Sequence, residues 1–514
     1  MSNQRSEQSE TATDLIDWPI LCASILIVGI LSGLIFGFPN ASAKVVNQIF
    51  TLVTQTFGQI FIIAGGVSIA ALLILALGPW RKIKLGTPED KPHYSTFIWA
   101  GMLFSTGIGT AVLYWGAIEW IEYYLSPPFG IEARSAEAHQ WAMSYGMFHW
   151  GLIGWAFYAL PAVCLSYAYH VRRSPNPSLA EACSPLLKQA THRWPGRVIN
   201  AIFMIGLIGS ASTGLGLTTP LITESLETYF NIESTFGLTV GAIVLIVFLI
   251  GLSVSLGLDQ GIKNLSTINI VLMLGLIGLI LSLGPSKAIC LQGIESIRFM
   301  GEHFLDMAGI RYPIENRAFT ESWTVFYWAW WISFAPFVGM FICKISRGRT
   351  IGQLIWGILL FGTLGCTLCF IVFGGYASFL EFEQQIPIIE TYSKNRHAAV
   401  IKIITSLSLG NHILPLFFLL CVSFAATTYD SASYTLALAA TRTIGADEEP
   451  ARWHRVLWAS TLGILPLALL SIGRQSEVIT ALQTASLIVS IPMLLVSGMM
   501  LISLAINLRH HAKG

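Results

Sequence analysis

Two segments of the chain concentrate aromatic side chains in a pattern that suits the binding of a cation. In HWGLIGWAFY, Trp150 and Tyr158 share one helical face and Trp155 is offset from it. In WTVFYWAWWISFAP, Trp330 and Trp331 lie well inside an apolar run, beside a proline. Ring faces attract a cation by about 0.5–1 kcal/mol when exposed and by about 2 kcal/mol when desolvated. A methylated ammonium suits such a cage because it cannot be held by ordinary hydrogen bonds. The alternative, a belt of tryptophans at the membrane interface, fits poorly this far inside a run.

A glycine-rich stretch in the third apolar run could expose backbone carbonyls. The sequence FSTGIGTA covers residues 104–111, with two glycines two residues apart and hydroxyls on either side. Such glycines weaken a helix, and irregular backbone inside a bilayer survives where it lines a cavity or a site. The alternative is a close contact between helices through small residues. The spacing alone leaves both interpretations open.

A second polar stretch, FAATTYDSAS, covers residues 424–433 of a later apolar run. The hydroxyls of Thr427 and Thr428 could bond back to their own helix, or they could supply oxygen ligands to a small cation. Asp430 is an acid inside an apolar run, which makes it a functional candidate by default. This stretch therefore predicts either a structural or a cation-binding role.

The composition identifies the elements that must position these side chains. The chain has 514 residues, of which 54% are hydrophobic and 11% charged, and its mean hydropathy is +0.66. Soluble domains carry about 25% charged residues, so a soluble enzyme is excluded. The net charge of +1 gives no basic excess for binding nucleic acid. The remaining class is an all-α polytopic membrane protein.

About twelve runs are long enough to span a bilayer, because about 20 apolar residues cross its core of about 30 Å. They begin near Trp18, Phe57, Thr96, Gln140, Val198, Gly237, Ser266, Ser322, Gln353, Ile413, Val456 and Val478. Lys and Arg concentrate in alternate loops, so the positive-inside rule places both termini in the cytoplasm. Residues 1–17 and 509–514 are then cytoplasmic tails.

Two further segments are predicted to form helices that do not span the membrane. Ser178 and Glu181 have the spacing of a capping box, which indicates a short helix on the cytoplasmic side. Residues 288–308 include the sequence LQGIESIRFMGEHFLDM, with Ile294, Ile297, Phe304 and Leu305 on one face. This pattern predicts an amphipathic helix that lies on the extracellular surface.

The combined motifs resemble the betaine/carnitine/choline transporter family. The run TVFYWAWWISFAPFVGMF followed by KISRGRT carries the resemblance most specifically, and GIGTA, YWGAIE, HWGLIGWAFY, STGLGLTTP and TTYDSAS extend it over nearly the whole chain. The resemblance implies about twelve transmembrane helices in a LeuT-like five-plus-five inverted repeat. Two peripheral helices would cover 18–80, the first repeat 94–285 and the second 321–508. Helix interruptions are expected at Gly107–Ala111 and at Pro336, in the opening helix of each repeat.

The resemblance also implies roles for individual residues. The family's aromatic box matches Trp150, Trp155, Tyr158 and Trp331, and Trp330 matches an aromatic residue on the transport path. Phe334 stands where the family often has Trp or Tyr. An inner sodium site would use carbonyls of Ser105, Ile108 and Phe424 with the hydroxyls of Thr427 and Thr428. A second sodium site would use Phe337 and the hydroxyl of Thr213.

Three positions depart from the family's pattern or leave its details open. The glycine run GIGTA lacks the third glycine of the betaine symporters. Lys263 aligns with an arginine that replaces sodium in the carnitine antiporters, or it is a positive-inside residue at the cytoplasmic end of its helix. Glu122 either contacts the substrate, where it would favour choline over a substrate with a carboxylate, or is an exposed residue at the outer end of its helix.

The resulting functional expectation is secondary active uptake of a quaternary ammonium or sulfonium compound, such as glycine betaine, choline or carnitine. Sodium would be the co-transported ion, and the alternative is sodium-independent antiport of substrate against product. The expected location is a bacterial cytoplasmic (inner) membrane, with membrane lipid as a partner and a homotrimer as the assembly. A channel would need a continuous polar pore, and an enzyme would need catalytic spacing around His149 or Asp430; the spans offer isolated polar residues instead.

Overall fold

The computed structural model describes residues 16–233, 235–256, 261–309, 317–442, 449–470 and 475–511. Within these ranges the protein is all-α: there is no β-strand, and two isolated β-bridges join Ile16 to Thr441 and Lys84 to Thr350. The helices of the first half are α1 (Trp18–Gly37), α2 (Pro39–Leu77), α3 (Thr96–Leu125), α4 (Ala136–His149), α5 (Leu152–Ser166), α6 (Trp194–Phe230), α7 (Phe236–Leu256), α8 (Gly261–Leu283) and α9 (Ser286–Glu302).

The second half of the described chain is also helical. Its labelled helices are α10 (Phe326–Ile345), α11 (Ile351–Cys369), α12 (Gly375–Phe382), α13 (Ile388–Lys394), α14 (Arg396–Thr405), α15 (Gly410–Ala439), α16 (Arg452–Leu470) and α17 (Gln475–His511). Short π-helical turns precede α10 at Thr320–Val325 and separate α11 from α12 at Phe370–Gly374.

The predicted fold class is confirmed, since the described residues include 11 helical stretches that are long and apolar enough to cross a membrane. The third predicted span corresponds to α3, whose 30 residues also suffice at about 1.5 Å of rise per residue. Each of the twelve predicted runs therefore begins within a helical span. The protein is a multi-pass membrane protein.

Two parts of the architecture were not predicted from the apolar runs. α2 begins at Pro39, eighteen residues before the predicted start near Phe57. The residues between these two positions are helical, but they include too many polar side chains to be recognised as part of an apolar run. α13 and α14 lie between the ninth and tenth predicted runs, in a segment without an apolar run of its own. Hydropathy identifies the segments that suit lipid, and it does not detect helix beyond them.

The predicted interruptions of the opening helices are wrong. α3 is helical through Gly107–Ala111, and α10 is helical through Pro336. Gly109 instead serves a close helix contact, because a Cβ added there would lie 2.0 Å from the ring of Phe424. The small-residue alternative therefore applies at this glycine.

A break occurs instead in the fourth span, where α4 ends at His149 and α5 begins at Leu152. Trp150 and Gly151 connect the two helices. A Cβ on Gly151 would lie 2.6 Å from the carbonyl oxygen of Met147, so the connection is too tight for a larger residue. The chain is consequently irregular at one of the predicted cage residues.

The two predicted non-spanning helices are present. The helix Leu179–Ala182 is capped by the Ser178 hydroxyl, which accepts a hydrogen bond from the backbone N–H of Glu181. α9 buries Ile289, Gly293 and Ser296 on one side and exposes apolar side chains on the other. Ile294 is 64% exposed, as expected for a residue that faces lipid rather than protein.

The most extensive helix–helix contact joins α5 and α10. Glycines allow their close approach: a Cβ on Gly339 would lie 3.0 Å from the backbone nitrogen of Ala162, and one on Gly154 would lie 2.5 Å from the ring of Trp331. These two helices carry most of the predicted aromatic cage. Their packing therefore determines where the cage lies.

Candidate functional site

The four rings of the predicted cage form one buried cluster. Trp331 lies at its centre, with its ring centroid 4.5 Å from that of Tyr158, 5.8 Å from that of Trp155 and 5.9 Å from that of Trp150. The rings of Trp155 and Tyr158 are 5.5 Å apart and nearly perpendicular. None of the four side chains is more than 3% exposed. The rings face each other inside the helix bundle, and not lipid.

The backbone break in the fourth span fixes the orientation of the central ring. The carbonyl of His149, at the end of α4, accepts a hydrogen bond of 3.1 Å from the indole N–H of Trp331. That carbonyl is available because the residues after it leave the helix. The hydrogen bond thus links the break in one span to the cage residue on α10.

Glycines provide the space that the other indole rings occupy. A Cβ on Gly362 of α11 would lie 2.0 Å from the ring of Trp155. The indole N–H of Trp155 donates to the sulfur of Cys366 over 3.5 Å, which orients the ring along α11. The cage is therefore formed by three helices, α5, α10 and α11, together with the connection at Trp150.

Two rings of the cage are in direct contact. The ring centroids of Tyr158 and Trp331 are 4.5 Å apart, so a methylated ammonium does not fit between these two rings. A cation attracted by a ring lies within about 6 Å of its centroid, over the ring face. A ligand must therefore use the remaining ring faces or separate the rings as it enters.

The two other aromatic residues predicted to bind substrate flank this cluster. The Trp330 ring lies edge-on to Trp150 at 5.5 Å and is stacked on Phe326 at 6.0 Å. Phe334 contacts the ring of Phe337 at 4.9 Å. The structure thus places Trp330 against a cage residue and Phe334 against Phe337 of the same helix. Their roles in binding stay predictions.

A buried carboxylate beside the cage was missed by the sequence reasoning. Glu119 of α3 has no exposed surface. It accepts hydrogen bonds from the indole N–H of Trp150 at 2.9 Å, the hydroxyl of Tyr327 at 2.6 Å and the hydroxyl of Tyr123 at 2.5 Å. The His149 ring lies behind Tyr123, with 2.9 Å between its Nδ1 and the phenol oxygen. The cage therefore has a polar network attached to one wall.

A signal for Glu119 was present in the sequence. It is the acid of the YWGAIE motif, inside an apolar span, and such acids are functional candidates by default. The same rule was applied to Asp430 alone. The donors to Glu119 come from α3, α10 and the α4–α5 connection, and no spacing rule on one helix brings these together.

Two of the predicted inner sodium ligands meet across a helix interface. The Thr428 hydroxyl of α15 donates to the carbonyl of Ser105 on α3 over 3.2 Å. The Ser105 hydroxyl is buried and has no hydrogen-bond partner among the described residues. An unsatisfied buried hydroxyl beside a carbonyl and a second hydroxyl is a donor set that suits a small hard cation. Phe424 packs on the same stretch of α3, at Gly109.

The neighbouring threonine is engaged elsewhere. Thr427 donates to the carbonyl of Ser423 on its own helix at 2.8 Å and accepts from the amide of Asn269 at 2.8 Å. The oxygen of that amide accepts from the Ser423 hydroxyl. Thr427 is thus part of a contact between α8 and α15. The side chain of Ile108 lies outside the described residues, and its predicted carbonyl role stays a prediction.

The residues of the predicted second sodium site lie on α6 and α10. The Thr213 hydroxyl reaches the carbonyl of Gly209 on its own helix at 3.5 Å, and Phe337 is fully buried. The two helices are joined nearby by a hydrogen bond of 2.8 Å between the hydroxyls of Ser210 and Ser333. Among the described residues no group of three or more His, Cys, Asp or Glu side chains could hold a metal ion.

The two positions left open by the sequence have different environments. Glu122, at the end of α3, pairs with Arg396 of α14 at 2.9 Å and accepts a hydrogen bond from the Tyr392 hydroxyl. Burial, followed by the Glu122 charge, raises the pKa of the Tyr392 phenol well above its usual range. Lys263 lies in the first turn of α8 and is partly buried. Glu122 therefore connects α3 to the loop helices, whichever role it has in selectivity.

Asp430 also has a charged partner. Its carboxylate receives the guanidinium of Arg455 at 2.8 Å and the hydroxyl of Ser253, and neither side chain of the ion pair is exposed. Arg455 also reaches Glu449 at 3.0 Å. The charge of Asp430 is thus compensated within the protein, which is a structural arrangement.

The sequence is similar to that of known transporters. A family model described as "BCCT, betaine/carnitine/choline family transporter" matches residues 19–513. A carnitine transporter of Acinetobacter baumannii is 30% identical over 461 residues, which are 89% of this chain and 83% of that protein. The uncharacterized transporter YeaV of Escherichia coli K12 is 31% identical over 428 residues, which are 83% of this chain and 88% of that protein.

A solved structure of a Na⁺-coupled sialic acid symporter, in a substrate-bound outward-open state, is similar with a TM-score of 0.45 and 13% identity. The similarity covers 85% of this chain and 81% of that one. The match of the family model over nearly the entire chain identifies a transporter and not an enzyme. This membrane protein, with its buried aromatic cluster, belongs to the betaine/carnitine/choline transporter family.

Proposed function

We propose that this protein imports a quaternary ammonium or sulfonium compound, such as glycine betaine, choline or carnitine, by alternating access. The observation that carries the proposal is the contact of Trp150, Trp155, Tyr158 and Trp331 in one buried cluster. Desolvated ring faces hold an onium group that cannot be held by hydrogen bonds, at about 2 kcal/mol per favourable contact. The carnitine transporter among its relatives handles a substrate of this class.

A binding screen of the purified protein tests this function. Methylated amines and sulfonium compounds are titrated with and without sodium, and tryptophan fluorescence or thermal stabilisation reports binding. Ligands with trimethylammonium or dimethylsulfonium groups should bind, and primary amines of equal length should not. Binding that ignores methylation would contradict an aromatic cage.

We further propose that sodium is co-transported and that it is held by carbonyls of Ser105, Ile108 and Phe424 with the hydroxyls of Thr427 and Thr428. The support is the buried, unsatisfied Ser105 hydroxyl next to the Thr428–Ser105 contact. One charge that crosses 100 mV gains about 2.3 kcal/mol, which corresponds to an accumulation of about fiftyfold. The second sodium site at Thr213 and Phe337 is proposed on the family resemblance alone.

Thr428→Val is expected to raise the sodium concentration for half-maximal uptake by about tenfold, the effect of losing one ligand worth about 1.4 kcal/mol. Thr435→Val is the matched control, because the Thr435 hydroxyl is buried on the same helix and bonds back to Ser431. Uptake in proteoliposomes is measured over a range of sodium concentrations. An equal effect of both variants would show that Thr428 acts through helix packing rather than as a sodium ligand.

Sodium-independent antiport is the second candidate function. The engagement of Thr427 by Ser423 and Asn269 favours it, since this arrangement leaves fewer hydroxyls for sodium. Lys263, at the start of α8, could then supply a fixed charge. Exchange of preloaded substrate without sodium would support antiport, and a requirement for sodium would exclude it.

The cellular setting is proposed from the sequence pattern and the family. We expect a bacterial inner-membrane protein with both termini in the cytoplasm, arranged as a homotrimer in contact with membrane lipid. Cysteine residues introduced at the two termini should resist an impermeant thiol reagent in intact cells. Cross-linking in native membranes should give a species of three chains.

The space at Gly362 gives a further prediction for the same site. Gly362→Ala should displace the Trp155 ring, because the added Cβ would lie 2.0 Å from it. Overpacking of this kind costs about 1–3 kcal/mol, so the ligand's Kd should rise by about tenfold or more. Gly275→Ala on α8 is the control, since a Cβ there meets nothing within 4 Å. Equal ligand affinities in the two variants would contradict the assignment of Trp155 to the cage.

A further inference from the structure

Three hydrogen-bond donors point toward the carboxyl group of Glu119. The indole N–H of Trp150 can only donate, and it donates to Oε2 over 2.9 Å. The hydroxyls of Tyr327 and Tyr123 donate to Oε2 and Oε1. Three donors converge on one carboxyl group that has no exposed surface. Such donors stabilise the ionised form of a carboxyl group.

The histidine next to this group does not neutralise it. With the Tyr123 hydroxyl donating to Glu119, the phenol oxygen can accept from Nδ1–H of His149, 2.9 Å away. The other ring nitrogen, Nε2, lies 3.0 Å from the hydroxyl of Thr324 and can accept from it. All contacts are satisfied by a neutral imidazole, so this chain of hydrogen bonds delivers donors to Glu119 without a positive charge.

Glu119 therefore lacks a cationic partner within the described part of the protein. The His149 ring, 3.8 Å from Oε1, is its one basic neighbour within 4.0 Å there. Asp430 and Glu122 differ in this respect, because arginines compensate both carboxylates. A buried charge is costly to leave unpaired, and a bound cation would supply the missing partner.

The cage is the place where that cation would come closest. Oε2 of Glu119 accepts the hydrogen bond of the Trp150 indole N–H. The ring centroid of Trp150 lies 5.9 Å from that of Trp331, at the centre of the cage. An anionic acceptor on the indole N–H pushes electron density toward the ring and makes its face more attractive to a cation. The carboxylate would thus attract a bound cation directly, by Coulomb attraction, and indirectly, by making the Trp150 ring face more attractive to it.

We propose that Glu119 is the fixed counter-charge of the onium site and determines its specificity for charge. The aromatic rings already attract a cation, and the full negative charge of Glu119 would strengthen the preference of the site for a positively charged onium head over an uncharged group of equal size. This inference rests on the proposed function of the cage. It assigns to Glu119 a specificity-determining role and to Tyr123 and Tyr327 positioning roles.

The test compares an onium ligand with its uncharged carbon isostere. Choline and 3,3-dimethyl-1-butanol have heads of the same shape and differ in charge, and their Kd values are measured on the full-length protein in nanodiscs. Glu119→Gln should raise the Kd of choline by about a hundredfold, as for charges about 6 Å apart at an effective dielectric constant of about 20. The Kd of the isostere should change by less than about threefold.

Two further variants separate charge from architecture. Tyr327→Phe removes one donor and keeps the carboxylate, so the preference for choline over the isostere should persist. Glu119→Asp keeps the charge on a shorter side chain and should also retain that preference, even where both ligands bind less well. If Glu119→Gln does not fold, the Glu119→Asp protein decides the question, because loss of the preference there would overturn the proposal.

The outcomes distinguish this inference from the proposed function. If Glu119→Gln weakens choline and the isostere by the same factor, or weakens neither, Glu119 only holds the Trp150 ring and the counter-charge is overturned. If the wild-type protein binds no onium compound, the proposed function fails and this inference fails with it. If the choline preference falls in Glu119→Gln alone, the proposal is supported.

Discussion

Trp331→Ala is expected to abolish saturable uptake of the onium substrate. Trp331 contacts the other three cage rings and receives its orientation from the carbonyl of His149. Loss of one desolvated ring face removes about 2 kcal/mol of cation attraction, which corresponds to a rise in Kd of about thirtyfold. Initial uptake rates over a range of substrate concentrations, in proteoliposomes, measure the effect.

Controls must separate the loss of the cage from the loss of the fold. Removal of a buried tryptophan costs about 3–5 kcal/mol of stability, so expression and thermal stability are measured in parallel. Trp356→Ala is the matched control, because Trp356 is 46% exposed on α11. Trp331→Phe keeps a ring but loses the N–H to His149, and it should retain partial uptake. Unchanged KM and maximal rate in Trp331→Ala would reject the cage.

The aromatic cage could be predicted because its residues lie in two short segments with unusual composition. Tryptophans inside an apolar run do not fit the interfacial belt, and this misfit identified Trp330 and Trp331. The contact between the two segments could not be predicted from spacing. It depends on Gly154, whose missing side chain admits the Trp331 ring, and on the backbone break before it.

The predicted helix interruptions show the limit of glycine and proline patterns. The pair Gly107 and Gly109 suggested irregular backbone, yet Gly109 makes room for Phe424 within an intact helix. The actual break is at Trp150–Gly151, where one glycine stands alone and no glycine pair marks the position. A glycine permits both a break and a close contact, and the packing partner decides between them.

The polar contacts were the least predictable part of the site. Thr427 and Thr428 are adjacent and chemically identical, yet one bonds Asn269 and its own helix while the other reaches Ser105. Their different partners follow from the directions in which two neighbouring side chains leave a helix, about 100° apart. Whether a side chain on α15 reaches α3 or α8 depends on how the helices pack, which the sequence of α15 alone does not specify.

Glu119 and Asp430 illustrate how two buried acids in one protein can differ. Both lie in apolar spans, and from the sequence they are equivalent candidates. Asp430 meets Arg455, and the pair is neutral. Glu119 meets three neutral donors next to the aromatic cluster. The partner that each carboxylate finds, rather than its position in a span, distinguishes the ion-paired Asp430 from Glu119, for which we propose a role in binding.

The second large effect is expected at the buried ion pair, and it should be asymmetric. Arg455→Met leaves the Asp430 carboxylate buried with the Ser253 hydroxyl and without its cation. Loss of one partner of a buried pair costs about 3–5 kcal/mol. Asp430→Asn should cost less, about 1–2 kcal/mol, because Arg455 keeps Glu449 at 3.0 Å. Thermal unfolding of the purified variants measures the difference.

The double variant decides whether the asymmetry comes from the unpaired charge. In Asp430→Asn with Arg455→Met no buried charge remains, and replacement of both partners of an ion pair by neutral groups is often close to neutral in stability. We therefore expect the double variant to be more stable than Arg455→Met alone, although it carries one more substitution. Simple addition of the two losses would mean that Arg455 stabilises the protein through packing on Tyr434, whose ring centroid lies 5.3 Å from the guanidinium carbon, and not through its charge.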